Sequence, residues 1–579
     1  MHAFDLKEVQ LMVRQFCDEL PGLLAKHTVT AELVPRLSGL RNEIDSPFTV
    51  AVVGQMRVGK SSLINAILQK DLAITGVTET TATINWIHHG TNSDIACIHW
   101  RDRPPETINR SSLQQWTGDS KLAAETRYIQ LFDDAPFLKI ATIVDTPGLR
   151  SVIDAHTFAT EQFLGLGAAI PEQTDLPADH CSKNSQQLGS QADAIVYVLM
   201  PVARESDDDF IESFKNNTRL PGSSSYNSIA VIHKWETLNS DNVFAERDRK
   251  ATQIKKALGD SVASVVAVSA PIARAADTLG DDNLAAILKL ARDTELTVLY
   301  KLLRHDKAFQ RPADLCSLTV AERQDLLSLG IPWPSLKTIV SSAVEIPILN
   351  VDEFRERIRQ MGCIDNLKTE LEQRFFSRSR SIKILSLASK AWEPCQLAQV
   401  RLRNVVSILR SNISRSGALL ELVRSRVKRG DIDLREVELH MLASRDLFDM
   451  QLVAVNQTLS RLGEITGQLK SIHSDFAGDL RCLEYVDKIV LITPLDDLKP
   501  KLESLFGRSG VTLIDRLTEF TESNDLINEL EEMIDELNGI KRASNGEALF
   551  LCKHAIHRLE QIADVFESRN VPLRIVAEP

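Results

Sequence analysis

Residues 54–61 have the sequence Gly-Gln-Met-Arg-Val-Gly-Lys-Ser, and the rest of the fold can be inferred outward from them. They follow the apolar run Phe-Thr-Val-Ala-Val-Val at 48–53 and precede Leu-Ile-Asn-Ala-Ile-Leu at 63–68, which has helical spacing. A strand, a glycine loop and a helix in this order are typical of a phosphate-binding loop. We therefore expect the chain to bind a nucleoside triphosphate.

This loop supplies most of the candidate contacts to a nucleotide. Backbone N–H groups of such a loop surround the β-phosphate, Lys60 adds positive charge, and the Ser61 hydroxyl ligates Mg²⁺. We expect Lys60 to act in catalysis as well as in binding. The candidate nucleotide-binding residues in and beside the loop are Gly54, Gln55, Met56, Arg57, Val58, Gly59, Lys60, Ser61 and Ser62.

A second motif, Asp-Thr-Pro-Gly at 145–148, follows the apolar run 140–144. A carboxylate at a strand end opposite the phosphate-binding loop can hold Mg²⁺ through water, and the N–H of Gly148 can contact a γ-phosphate. Asp, Pro and Gly also form ordinary turns, but the order and spacing after the loop favour the functional interpretation. We therefore expect Asp145 and Gly148 to belong to the site.

The segment 75–83 between these motifs is Thr-Gly-Val-Thr-Glu-Thr-Thr-Ala-Thr. One of its hydroxyls is expected to complete the Mg²⁺ shell and to hold a mobile loop closed while the γ-phosphate remains. Thr81 is the first candidate for this metal-binding and catalytic role, and Thr80 is the second. A β-prone loop without a metal role is the alternative.

The composition is that of a globular protein with two or three domains. The chain has 579 residues, which is too many for one ordinary core. Its net charge of −12 argues against nucleic acid as a partner. The eight cysteines form no C-x-x-C pair, as expected of reduced thiols in the cytoplasm. No run approaches the roughly 20 apolar residues that span a bilayer, so we expect only peripheral membrane contact, at the inner face of the cell membrane.

Two regions differ in their hydrophobic pattern. From Phe48 to about Ala270, Val- and Ile-rich runs alternate with polar or helical segments, which is typical of an α/β sheet. After about residue 275, apolar residues recur at steps of three, four or seven, as in long antiparallel helices. The predicted strands are 48–53, 83–88, 95–100, 139–144, 193–200, 228–233 and 262–268, with a loop or insertion at 150–191.

These patterns predict an α/β P-loop domain with a mostly parallel sheet and helices on both faces, followed by an extended all-α bundle that forms a neck or stalk. The predicted domains are N-terminal helices of the neck or bundle (1–46), the nucleotide domain (47–310) and the helical bundle (311–579). The stretch 379–428, if it is one helix, is roughly 75 Å long at about 1.5 Å per residue. Gly430 and Asp431 are expected to form the turn after it.

In this combination the motifs resemble those of the bacterial dynamin-like GTPases. The shared features are G-x-x-x-x-G-K-S-S, T-G-V-T-x-T-T-A and D-T-P-G, in this order, followed by a long helical region. The resemblance covers roughly residues 48–270, and the remainder matches only in architecture. Within the family, the threonine directly before Ala82 is the Mg²⁺ and switch threonine, which supports Thr81. The resemblance implies a dynamin-type GTPase domain with GTP and Mg²⁺ as cofactors.

The resemblance also implies how such a protein works. It implies nucleotide-dependent assembly into a homodimer or homo-oligomer through the GTPase face, with a paired dynamin-like subunit as a further candidate partner. It implies work on membranes, such as remodelling, envelope maintenance under stress or support of vesicle release. The alternative is a slow nucleotide-switched scaffold that binds a partner protein through its stalk, without membrane activity.

The base-reading element departs from the family pattern. Where the family expects Asn-Lys or Thr-Lys, any residue and then Asp at a strand end, this chain has His-Lys-Trp-Glu at 233–236. The Lys234 stem can lie over the base, and the Glu236 carboxylate can accept from the guanine N1 and N2 donors. His233 replaces the usual amide or hydroxyl, so ATP remains an alternative to GTP. Ser269 and Ala270 resemble the family's segment whose backbone reads the guanine O6.

Hydrolysis needs a positioned water and charge compensation at the bridging oxygen. Leu149 stands where small signalling GTPases carry a water-orienting glutamine, so that mechanism is excluded at this position. Arg57 is the fourth residue of the loop, and in guanylate-binding proteins, which are relatives of the dynamins, an arginine there acts as an internal finger. We expect Arg57 to reach the phosphates when two nucleotide domains face each other. A solvated surface arginine is the alternative.

Two stretches of the helical half are candidate membrane contacts. The basic cluster Arg-Ser-Arg-Val-Lys-Arg at 424–429 precedes the expected turn. Cations there can contact anionic lipid headgroups, and each contact contributes about 1 kcal/mol of attraction. The alternative is that these cations offset the helix dipole. The apolar run 488–495 is the second candidate, with a buried piece of the bundle as its alternative.

Overall fold

The computed structural model of the chain describes residues 6–37, 39–54, 57–73, 83–113, 122, 125–146, 192–201, 227–238, 242–259, 262–345, 350–429, 435–488, 495–506 and 523–570. The chain divides by its internal contacts into two compact units. One unit comprises Pro47–Ser377, and the other comprises Met1–Ser46 together with Arg378–Pro579.

The described strands all belong to the unit Pro47–Ser377, whereas both units contain helices. The strands are β1 (Phe48–Gly54), β2 (Asn85–His89), β3 (Ile95–Trp100), β4 (Glu106–Asn109), β5 (Thr126–Asp133), β6 (Ala141–Asp145), β7 (Ala194–Leu199), β8 (Ser228–His233) and β9 (Ser264–Val268). The helices are α1 (Leu6–Ala25), α2 (Thr28–Ala31), α3 (Val34–Leu37), α4 (Leu40–Asp45), α5 (Lys60–Leu68), α6 (Val243–Leu258), α7 (Ala270–Thr278), α8 (Asp281–Asp293), α9 (Leu296–Leu302), α10 (Asp306–Phe309), α11 (Val320–Ser328), α12 (Trp333–Glu345), α13 (Val351–Gly362), α14 (Ile364–Arg374), α15 (Ser379–Lys428), α16 (Arg435–Lys488), α17 (Leu495–Leu505), α18 (Ser523–Ala543) and α19 (Gly546–Asn570).

The described strands form one mixed sheet in the order β4-β3-β5-β2-β6-β1-β7-β8-β9. Parallel pairs join β1 to β6 and β7, β8 to β7 and β9, and β2 to β5, while β2–β6, β3–β4 and β3–β5 are antiparallel. The predicted mostly parallel sheet is therefore confirmed. Parallel strands place their carboxyl ends at one edge of the sheet, where ligands bind in folds of this class.

Each of the seven predicted strands is present, with ends shifted by at most two residues, but the prediction omitted β4 and β5. Strand β5 alternates buried residues with half-buried ones such as Arg127 and Gln130, so it does not form an apolar run. Strand β4 pairs only with β3 at the edge of the sheet, and its residues are mostly exposed. Edge strands need no apolar pattern, which explains why the sequence of β4 gives little indication of a strand.

The unit that contains the sheet extends beyond the expected domain end at residue 310. Helices α12 and α13 pack against α7 and α8, which follow the last strand. Their buried residues, including Leu336, Ile339 and Phe354, share one apolar core with Trp235 and Leu284. Residues 311–377 thus belong to the compact unit of the sheet, whereas the sequence pattern grouped them with the bundle. The pattern shows that a helix has an apolar face but not which partner buries it.

The other unit is built on two long helices. The stretch 379–428 is one helix of 50 residues, α15, and it packs against the 54-residue α16. Helices α1–α4 pack on this pair, and α17–α19 enclose a second core with the end of α16. The expected turn at Gly430 and Asp431 lies outside the described residues. None of the helices that the structure describes combines the length and apolarity needed to cross a bilayer.

Candidate active site

The phosphate-binding loop lies between the carboxyl end of β1 and the first residue of α5. Strand β1 is buried along its whole length between β6 and β7. Gly54 ends the strand, and a Cβ atom there would lie 2.4 Å from the carbonyl oxygen of Val198. Gly59 has a φ of +98°, and a Cβ atom there would lie 2.5 Å from the ring of His233. Close contacts therefore require glycine at both ends of the loop.

Lys60 is held beneath the loop as the first residue of α5. Its side chain is 7% exposed, and its Nζ donates to the carbonyl oxygen of Gly54 at 3.1 Å. Burial lowers the pKa of Lys60 to about 8, although the nearby Asp145 acts in the opposite direction. An ammonium group held this way can interact strongly with a phosphate, because little water screens it.

Ser61 and Asp145 meet across the end of the sheet. The Ser61 Oγ donates to Oδ2 of Asp145 at 2.8 Å, and Asp145 is fully buried at the end of β6. Within the described residues, Oδ1 of Asp145 has no hydrogen-bond partner. Burial raises the pKa of Asp145 to about 6, and Lys60 and Ser61 oppose this rise. A hydroxyl beside a buried carboxylate with one unpaired oxygen is a donor set that suits a hard cation.

His233 connects the phosphate-binding loop to the segment after β9. Its Nδ1 donates to the carbonyl oxygen of Val58 at 2.8 Å, and its Nε2 accepts from the N–H of Ala270 at 3.3 Å. These two bonds require the neutral ring with its proton on Nδ1. Burial lowers the pKa of His233 to about 4. The imidazole thus supplies one donor and one acceptor, as the side-chain amide expected at this position would.

Lys234 and Arg57 both adopt left-handed backbone conformations, with φ of 60° and 65°. The Lys234 Nζ donates to the backbone carbonyl of Arg57 at 3.2 Å, so its stem runs toward the loop. The Arg57 side chain is exposed. Non-glycine residues in this region are uncommon and occur at functional sites more often than elsewhere. The structure therefore brings Lys234 to the phosphate-binding loop, and the expected position of its stem over the base stays a prediction.

Glu236 lies in the short 3₁₀ turn Trp235–Thr237 that follows β8. It is 6% exposed, and its Oε1 accepts from the Oγ of Ser335 at 2.9 Å. Burial raises the pKa of Glu236, while hydrogen bonds, including those with Ser269 and Ser335, oppose the rise. Ser269 is the N-cap of α7, where its side chain accepts from the N–H of Ile272.

The structure thus gathers Gly54, Val58, Gly59, Lys60, Ser61 and Asp145 at one edge of the sheet, with His233, Lys234, Glu236, Ser269 and Ala270 beside them. Ser62 is half-buried in the first turn of α5. The predicted residues outside the described part of the chain are Gln55, Met56, Thr80, Thr81, Gly148 and Leu149, and their roles stay predictions.

The sequence did not indicate two residues that support the site. Asn65 is buried in α5, where its Oδ1 accepts from the N–H groups of Leu72 and Ala73 and fixes the chain after the helix. Ser335 contacts Glu236 from 99 positions further along the chain. A polar residue within the apolar run 63–68 is a signal that could have identified Asn65. Ser335 belongs to no motif, so no sequence signal identified it.

The pKa of His233 leads to a testable pH dependence of stability. The folded state favours the neutral ring, with a pKa of about 4 against 6.5 ordinarily. The contribution of this ring is therefore complete above about pH 6.5 and is lost as the pH falls toward 4. We expect the free energy of unfolding to fall by about 3 kcal/mol from this group alone across that window. Urea unfolding should show a smaller fall for His233→Asn; equal slopes would contradict the assignment.

The sheet, the glycine loop and the Ser61–Asp145 pair define a P-loop nucleotide-binding domain. Residues 50–234 match the family model described as the Dynamin family. The stretch that carries the site is therefore similar to the dynamin family, whose members are GTPases. The resemblance to bacterial dynamin-like GTPases and the predicted fold class, a dynamin-type domain with a long-helix remainder, are both confirmed.

Individual relatives agree with this assignment. The chain is 23% identical over 321 residues to dynamin-like protein 2 of Campylobacter jejuni, covering 55% of this chain and 45% of that protein. It is 26% identical over 288 residues to the isoniazid-induced protein IniC of Mycobacterium tuberculosis, covering 48% and 54%. The chain thus spans about half the length of these relatives.

A solved structure described as "an oligomerised bacterial dynamin pair" for the "long-range sensing and tethering of membranes" is 14% identical to this chain. The likeness covers 90% of this chain and 78% of that one, with a TM-score of 0.31.

Proposed function

We propose that the chain is a GTPase of the dynamin type that binds and hydrolyses GTP with Mg²⁺, assembles in a nucleotide-dependent way through its GTPase face and acts at membranes. The observation that carries the proposal is the Ser61–Asp145 pair beside the buried Lys60, within a stretch similar to the dynamin family. Phosphates would occupy the loop, where Lys60 and backbone N–H groups offset their negative charge.

The residues at the loop fit Mg²⁺ as the metal. Ser61 supplies a hydroxyl, Asp145 supplies a buried carboxylate with an oxygen left unpaired within the described residues, and Thr81 is the third expected ligand. Oxygen donors of this kind are those that Mg²⁺ prefers, usually together with water and phosphate oxygens. When bound, the metal would offset negative charge on the phosphates.

Arg57 remains our candidate for the internal finger that offsets charge at the bridging oxygen. Arg57 has a φ of 65°, and its side chain is exposed. The side chain can therefore reach outward to a facing domain or fold back onto the phosphate-binding loop. We expect Arg57→Ala to lower turnover about tenfold or more at high protein concentration, where dimers form, and less at low concentration. Phosphate release measured across a dilution series tests this; equal loss at every concentration would contradict a dimer-dependent role.

Membrane action is supported by the family resemblance and by the basic residues at the end of α15. Arg426, Lys428 and Arg429 are exposed there, while Arg424 pairs with Glu438 at 2.7 Å. Anionic headgroups would add about 1 kcal/mol for each cation near the surface. The helix dipole also favours cations at this position.

The experiment that tests the proposed function is GTP hydrolysis against protein concentration, with and without anionic liposomes, using Lys60→Ala as the blank. A specific rate that rises with concentration and again with liposomes supports an assembling GTPase that acts at membranes. A low, flat rate that ignores lipid overturns the membrane role and favours the nucleotide-switched scaffold. Competition between GTP and ATP in the same assay decides the nucleotide.

A further inference from the structure

One helix beyond the dynamin-family match reaches the base-reading turn. Ser335 lies in the first turn of α12 and is fully buried, and its Oγ donates to Oε1 of Glu236 at 2.9 Å. Both residues follow the matched stretch 50–234. The amino end of a helix carries partial positive charge, so the first turn of α12 also favours the ionised form of the Glu236 carboxylate.

The second oxygen of this carboxylate differs from the first in its hydrogen bonding. Oε2 of Glu236 is buried and has no partner with hydrogen-bond geometry among the residues that the structure describes, while the nearby Ser269 side chain, at the N-cap of α7, helps to lower the pKa of the carboxyl group. Buried polar atoms are nearly always paired in folded proteins, and an exception at a candidate binding site indicates a missing donor. The acceptor lies two residues after Lys234, whose side chain contacts the phosphate-binding loop. The unpaired oxygen is therefore beside the expected position of the base.

The chemistry of the bases gives this acceptor a preference. Guanine presents N–H donors at N1 and at its 2-amino group on the edge that a carboxylate can meet. Adenine presents an acceptor at N1 and has no 2-amino group, so a carboxylate would face a lone pair. Glutamate also has one more methylene than the aspartate that the family expects here, and the added rotatable bond must be fixed before the carboxylate can read the base.

We propose that Ser335 is a positioning residue for purine selectivity: it holds Oε1 of Glu236 so that Oε2 is presented to the N1 and 2-amino donors of guanine. This inference rests on the proposed nucleotide-binding function. Ser335 lies outside the P-loop motifs and restrains the glutamate side chain, which is longer than the aspartate that the family expects at this position. Its effect is on the choice of base, while the phosphates are bound by the loop whichever base is present.

The test compares GDP, ADP and xanthosine diphosphate as competitors of a fluorescent GDP on the full-length protein with Mg²⁺. We expect Ser335→Ala to weaken GDP binding about tenfold and to leave ADP binding within about twofold, so that the ratio of affinities falls. Ser335→Thr keeps the hydroxyl and should retain most of the ratio. Glu236→Gln should shift the preference from GDP toward xanthosine diphosphate, because an amide can donate to the 2-oxo group.

The matched control is Ser342→Ala on the same helix. Ser342 is equally buried, and its Oγ donates to the carbonyl oxygen of Ile339 within α12, so its loss removes a buried hydroxyl without touching Glu236. Thermal unfolding of both variants shows whether the helix is intact. A GDP-to-ADP ratio for Ser335→Ala equal to those of the wild type and Ser342→Ala overturns the inference while nucleotide binding stands. A wild type that binds none of the three nucleotides overturns the proposed function itself.

Discussion

Replacement of Lys60 with alanine is expected to lower GTP turnover by about 10²- to 10³-fold, the range seen when one preorganised electrostatic group is removed from an active site. The ammonium group lies beneath the loop at 7% exposure, 3.1 Å from the carbonyl oxygen of Gly54. Of the neighbouring cations, Arg57 has an exposed side chain, and the Lys234 Nζ is held by the carbonyl oxygen of Arg57. Steady-state phosphate release at saturating GTP measures the loss.

The control for this variant is Lys70→Ala. Lys70 also belongs to the sheet unit and is paired with Asp133 at 2.8 Å, but its side chain is 42% exposed. Lys70 follows the carboxyl end of α5, about 15 Å from Lys60 at about 1.5 Å per residue, so its loss should leave turnover within about twofold of the wild type. If Lys60→Ala kept more than about a tenth of the activity, the phosphates would have to be bound elsewhere.

The parts of the site that lie close together in sequence were predictable. The run 48–53, the glycine loop and α5 are contiguous, so their order along the chain already determines the geometry at the end of β1. Asp145 could be placed because the strand before it is apolar and follows the loop at the usual distance. The helical periodicity also indicated helix within 379–428; whether this stretch is one helix was left open, and the structure shows it as the single helix α15.

The contacts between distant segments were not predictable. The Glu236–Ser335 bond joins residues in a 3₁₀ turn and in a helix that the pattern assigned to another domain. A helical stripe shows an apolar face without naming its partner, which is why the domain end at 310 differs from the unit end at Ser377. At His233 the sequence raised doubt about the base-reading motif, and the ring turned out to bond both Val58 and Ala270.

The second large expected effect is that of replacing Gly59, which lies against the ring of His233. We expect Gly59→Ala to lower the affinity for GDP at least about a hundredfold and the free energy of unfolding by about 3 kcal/mol or more. The φ of +98° disfavours any residue with a Cβ atom, at about 1–2 kcal/mol. The new atom would also lie 2.5 Å from the imidazole ring. Relief by a shift of the loop would displace the N–H groups that bind phosphate.

The two costs can be separated with Gly330→Ala. Gly330 lies in the same unit with a φ of +75°, and a Cβ atom there meets nothing within 4 Å, so this variant reports backbone strain alone. Its unfolding free energy should fall by about 1 kcal/mol, with GDP affinity unchanged. The excess loss in Gly59→Ala then measures the contact with His233, which is held by two hydrogen bonds and cannot swing aside. Equal losses in the two variants would show that the ring does not constrain the loop; a larger loss at Gly59, partly recovered in Gly59→Ala/His233→Ala, would show that it does.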